Sequence, residues 1–161
     1  MASTESSLGR FTSIRVLVPG TGTRFRCGGL SVALQTARLL SRLRSTQLVT
    51  YRQRQSDHPF LDDLLQQDKS PEDVLWLVSW GFDIPLLLRR LKGRPVIYQA
   101  HSSGYGFDLP AGVPVLAVSR NTMGYWGDRA PRNPLFFLPN ALEPQWFERG
   151  ARHLALDSRS I

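Results

Sequence analysis

Residues 14–43 read IRVLVPGTGTRFRCGGLSVALQTARLLSRL, and this stretch decides the fold. Ile14-Arg15-Val16-Leu17-Val18 is an apolar run of strand length. Pro19-Gly20 breaks it into a loop that ends Cys27-Gly28-Gly29. A helical period then begins at once, with Leu30, Ala33, Leu34, Ala37 and Leu40 on one face. Strand, glycine-rich loop and helix is the arrangement by which α/β proteins present backbone N–H groups to a phosphate or another anion. The stretch therefore points to a site as well as to a fold.

The rest of the chain repeats the alternation. Gln47-Leu48-Val49-Thr50-Tyr51 reads as a strand, and Phe60-Leu61-Asp62-Asp63-Leu64-Leu65 as a short helix. Asp73-Val74-Leu75-Trp76-Leu77-Val78-Ser79 is apolar without a break, the pattern of a strand covered on both faces and hence of a parallel sheet. Asp83 and Pro85 open a helix that runs to Leu91, with Pro85 at a tolerated first position and Gly93 past the end. Pro95-Val96-Ile97-Tyr98-Gln99-Ala100 and Val113-Pro114-Val115-Leu116-Ala117-Val118 are further strands. A helix over residues 120–128 and a last strand, Leu135-Phe136-Phe137-Leu138, complete the series. This order predicts one doubly wound, Rossmann-like parallel sheet with helices on both faces, a three-layer α/β/α domain.

The chain has 161 residues, enough for one well-buried core and few for two full domains. Its composition is that of a globular protein, and no apolar stretch approaches the roughly 20 residues that span a bilayer. Residues 1–7 lack the ordered regions of a signal peptide, and the single cysteine, Cys27, excludes an internal disulfide and cysteine-rich zinc patterns. The expectation is a cytoplasmic protein, at most peripheral at a membrane. The formal charge of +7 comes from arginines scattered over several elements, without a basic run or aromatic-basic interleaving. That distribution argues against nucleic acid and leaves anionic lipid or a partner domain as the counterpart of the charge.

Ligands of doubly wound folds sit outside the carboxyl ends of the strands. Those ends carry Gly20 and Gly22, then Ser79 and Trp80, then His101-Ser102-Ser103-Gly104, Ser119-Arg120, and Asn140. The glycine loop fails two familiar patterns. A dinucleotide fingerprint stops at Phe25 and lacks an acidic residue after the second strand, where Thr50-Tyr51-Arg52 stands. A Walker A loop needs Gly-Lys-Ser/Thr before the helix, whereas Gly29 is followed by Leu30-Ser31. What is left is a pair of glycines at a helix start, which either serve a ligand or a turn that needs positive φ.

Gly28-Gly29 at the first helix, His101 ending a strand, Val118-Ser119-Arg120 opening a helix and Leu138-Pro139-Asn140-Ala141-Leu142-Glu143 follow one another in the order of GT-B glycosyltransferases. Over residues 14–147 the chain resembles the N-terminal domain of a family 4, retaining glycosyltransferase. The resemblance implies a glycosyltransferase activity that uses a nucleotide-sugar as co-substrate, with no metal and no other cofactor. It implies that Gly28 and Gly29 face the donor diphosphate and that His101 contacts the transferred sugar as the catalytic residue. Ser102, Gly104, Tyr105, Ser119, Arg120 and Asn140 would then border the cleft and the acceptor, a saccharide or another molecule. The family usually reads Pro-Asn-Gly-Val-Asp where this chain has Pro139-Asn140-Ala141-Leu142-Glu143. Alanine adopts positive φ less easily than glycine, so that turn differs, while Glu143 keeps the acidic end.

The domain plan is a flexible N-terminus over 1–12, the acceptor-side domain over 13–147, and a linker stub over 148–161. The donor-binding C-terminal domain of a GT-B enzyme has no counterpart in these 161 residues, so the expected partner is such a domain or a separate chain, and the chain alone is expected to be inactive. A standalone binding module with the same half fold is the alternative. A nucleotide-binding oxidoreductase half is disfavoured by Phe25 and by the missing acidic residue.

Overall fold

A computed structural model describes residues 10–67 and 71–140. The expected calls on Ala141-Leu142-Glu143 and on the stub over 148–161 lie outside these residues, as do positions 1–9 of the N-terminus. The strands are β1 (Ser13–Val18), β2 (Ser45–Thr50), β3 (Val74–Val78), β4 (Val96–Ala100), β5 (Val115–Ala117) and β6 (Leu135–Phe137). The helices are α1 (Gly28–Leu40), α2 (Leu61–Gln67), α3 (Ile84–Arg90) and α4 (Arg120–Arg129). All pairings are parallel, and the six strands form one sheet in the order β2-β1-β3-β4-β5-β6. The fold is therefore the parallel α/β sheet that the apolar runs predict.

Burial follows from position in the sheet. Every residue of the central strand β3 is buried, whereas edge strand β2 alternates exposed and half-buried residues until Val49-Thr50. On one face Ile14, Val16, Val18, Leu75 and Leu77 pack under α1, whose Leu30, Ala33 and Ala37 are buried. Small alanines at one-turn spacing let the helix lie close to the sheet. Leu34, expected on that face, is 39% exposed, because the buried stripe is only three residues wide. The opposite face packs Leu17, Trp76, Val78, Tyr98 and Val115 against Leu61, Ile84, Leu87 and Trp126 of the other three helices.

One connection departs from simple alternation. The segment over 101–114 between β4 and β5 holds no helix. Phe107 enters the core there instead, its ring 5.3 Å from that of Trp126, and Tyr98 meets Trp126 edge-on at 5.4 Å. Near the start of the chain, Thr12 donates its backbone N–H to the Asp73 carbonyl at 2.9 Å, fixing the entry to β1.

β1 has β2 on one side and β3 on the other, so the chain reverses its direction of travel across the sheet at this point. α1 leaves β1 over one face and α3 leaves β3 over the other. Doubly wound sheets hold ligands in the crevice at such a reversal, which places the candidate site at the carboxyl ends of β1 and β3.

Candidate functional site

One side of this candidate site is the start of α1. Cys27 is its N-cap, with extended backbone and a thiol sulfur that accepts the Leu30 N–H at 3.5 Å. Gly28 is the first helical residue, and a Cβ added there meets nothing within 4 Å. Neither Gly28 nor Gly29 has positive φ; that conformation belongs to Gly93, Gly104, Gly106 and Gly112. The two glycines at the helix start are thus not demanded by a turn. They leave an open surface over the free N–H groups of the first turn, where the helix carries about half a positive charge. Gly29 is closer to its surroundings: an added Cβ would lie 3.7 Å from Cys27 Sγ and 3.9 Å from the Trp80 ring. Trp80 therefore borders α1 from the β3 side.

The loop before α1 is braced from β2. Arg52 and Gln53 donate backbone N–H groups to the Pro19 carbonyl, both at 3.1 Å, and the Thr21 N–H and hydroxyl both donate to Gln55 Oε1 at 3.0 Å. Arg24 lies over the Phe25 ring at 4.5 Å, and Arg26 is exposed one residue before the cap. These two loop arginines put positive charge beside the helix start. Their signal was in the sequence, as cations two and four residues before the glycine pair.

The β3 wall rests on a buried carboxylate. Asp83, expected only as a helix-opening residue, makes no capping hydrogen bond to α3. It accepts instead from the Tyr51 hydroxyl at 2.6 Å and from Arg52 Nη2 at 2.5 Å, and is 8% exposed. Burial foremost, then the hydrogen bond and charge of Asp83, push the Tyr51 phenol far above its ordinary pKa, so it stays a donor. Pro85 stands second in α3, one place later than its expected first position. Above this network Tyr105 lies so close to Gly81 that a Cβ there would overlap its ring, and Phe82 meets Tyr105 edge-on at 5.1 Å. Phe82 is 81% exposed. Sequence reasoning missed both Asp83 and Phe82: the first because its partners are remote, the second because a lone aromatic in a turn carries no pattern.

The remaining predicted residues divide. His101 follows β4 and is half-buried; its Nε2 is shielded from solvent and has no hydrogen-bond partner. Burial holds its pKa below the ordinary value, which keeps the ring neutral at pH 7. Ser102 is exposed, and Gly104 has φ of +84°, a conformation that requires glycine in the loop. Ser119 is the N-cap of α4: its hydroxyl accepts the Thr122 N–H at 3.1 Å and lies 2.8 Å from Thr122 Oγ1. That oxygen is committed to the helix. Arg120 is exposed on the first turn of α4. Asn140 is half-buried, with Oδ1 shielded and unpartnered.

Among the described residues no group of three or more His, Cys, Asp or Glu side chains could hold a metal ion, and no helix is long and apolar enough to cross a membrane. Comparison with protein families, curated proteins and solved structures finds no match to this chain. The fold and the geometry around the start of α1 are thus the structural findings on which function is argued.

Proposed function

We propose that the chain is the acceptor-side half of a glycosyltransferase, and that its crevice takes the diphosphate of a nucleotide-sugar at the start of α1. The observation that carries this reading is the open surface over Gly28 at the N-terminus of α1, at the point where the sheet reverses direction. Free N–H groups and a partial positive charge there would stabilise the negative charge that develops on a departing diphosphate. Arg24 and Arg26 add cationic character on the same loop. His101, neutral and with an unused Nε2, is suited to accept or donate one hydrogen bond to a sugar hydroxyl. Tyr105 and the exposed Phe82 offer apolar ring surface for a sugar face. Transfer itself belongs to a complete enzyme, with a second domain or chain holding the nucleotide. The coarser part of the reading, an anion-binding crevice, needs no second domain.

Titration calorimetry with UDP, GDP and ADP, and with their glucose conjugates, tests it on the chain alone. Expected is weak saturable binding of at least one diphosphate, reduced about tenfold or more by Gly28→Asp, which sets a carboxylate in the open space. Turnover by the chain alone would overturn the half-enzyme reading. Absence of any diphosphate binding would overturn the site itself.

A further inference from the structure

A second concavity lies at the opposite end of the sheet, where the strands begin. It has a volume of about 760 Å³ and runs between α3 and residues 108–114, reaching Leu75 and Phe11 beneath the sheet. That size falls in the range of about 300–1,000 Å³ that holds small ligands. The wall has a distinctive chemistry. Pro95, Pro110 and Pro114 line it and have no N–H to offer. Their carbonyls are already used: Pro95 accepts from the Trp76 N–H at 2.9 Å, Pro114 from the Tyr98 N–H at 2.9 Å, and Pro110 from Asn133 Nδ2 at 2.7 Å. Leu88, Val96, Ile97 and Val113 supply hydrocarbon between them. Such a wall offers few groups to the hydroxyls of a sugar or the edge of a base, and it favours an alkyl body.

Half-buried Arg94 also lines the cavity and donates Nη2 to the Leu65 carbonyl at 3.4 Å, and the other charged groups sit at the lip. The Asp108 carboxylate is held by Arg129 Nη2 at 3.0 Å. Arg89 and Lys92 are exposed on the other side and have no ion pair among the described residues. An apolar trough with two uncommitted cations at its mouth complements one class of molecule. We propose that this groove binds a single-chain amphiphile, its tail along the prolines and aliphatic side chains and its anionic head (carboxylate, sulfate or phosphate monoester) at Arg89 and Lys92. The site is separate from the α1 crevice and does not depend on the reading of that crevice.

Dodecanoate, kept below its micellar concentration and titrated into the full 161-residue chain, tests this by calorimetry and by amide chemical-shift mapping. Expected is saturable one-to-one binding, with shifts confined to residues 85–97 and 108–114 and to Phe11 and Leu75. Ala111→Trp, at an exposed position on the rim, should weaken it about tenfold or more by filling the trough. The exposed pair Arg89→Glu with Lys92→Glu should weaken dodecanoate by a similar factor while leaving dodecan-1-ol, which has no charged head, nearly unchanged. Dodecyl sulfate and dodecyl phosphate in parallel rank the head groups. Circular dichroism checks that the surface variants keep the fold. No saturable binding, binding indifferent to Ala111→Trp, or capture only by anionic vesicles and not by monomeric dodecanoate would each overturn the proposal.

Discussion

Asp83 holds together two segments that are distant in sequence. It receives the Tyr51 hydroxyl and the Arg52 guanidinium, and so ties the end of β2 to the turn that follows β3. The Arg52 side chain is half exposed, so solvent screens much of that ion pair, and the weight rests on the buried Tyr51 bond. Asp83→Ala is expected to cost about 2–3 kcal/mol, since it leaves a buried hydroxyl without its charged acceptor. Urea unfolding measures this. Asp63→Ala is the control, because the Arg54–Asp63 pair lies on the surface and its loss should scarcely move the midpoint. His101 makes a different prediction. Burial lowers its folded pKa, so below the ordinary value of 6.5 the unfolded chain takes up the proton more readily. The group's contribution to stability is complete above that pH and declines as pH falls through 6.5 toward the lower folded value. His101→Gln should flatten the difference between wild type and variant above that window and gain relative stability below it. A constant difference from pH 5 to pH 8 would rule out the buried, neutral ring.

Among the elements, helix starts separate sound caps from weak ones. α4 begins with Ser119, whose oxygen reaches the Thr122 N–H at 3.1 Å; α1 begins with Cys27, whose sulfur stands 3.5 Å from the Leu30 N–H. Sulfur is the poorer acceptor, and serine is among the best N-caps. Cys27→Ser is therefore expected to raise the thermal midpoint modestly, by about 0.5 kcal/mol of stability, and Ser119→Ala to lower it by about 1 kcal/mol. Scanning calorimetry on the two variants tests both signs. The elements themselves were legible because the strands are unbroken apolar runs, such as Val74-Leu75-Trp76-Leu77-Val78, and because Gly93 and Pro85 punctuate α3. The glycine pair was legible as a helix start. Its freedom from any backbone requirement was not, since φ and the empty space above Gly28 exist only in three dimensions. Asp83 was read as local punctuation because its partners lie 31 and 32 residues away.

For the whole molecule, a parallel sheet could be inferred from apolar runs, but the strand order could not, and neither could the groove formed by prolines from separate connections. The order leaves β6 with β5 as its only neighbour among the described residues. Edge strands are normally short, charged or covered. β6 is short but carries no charge, and Phe136, Phe137 and Leu138 are 54%, 47% and 50% exposed. A contiguous apolar edge of this kind promotes association between copies. The net charge of +7 opposes it, because like-charged chains repel over distances set by the salt concentration. The balance gives a signed expectation: self-association rises with protein concentration and rises further as salt screens the repulsion. Phe136→Lys with Leu138→Lys adds charge where the edge is apolar and should hold the chain monomeric in both regimes. Sedimentation velocity at low salt and at about 0.5 M salt, where the screening length has fallen to a few ångströms, reads the difference directly. A wild-type chain that stays monomeric at high protein and high salt would show that the β6 edge is already satisfied by other residues of the same molecule.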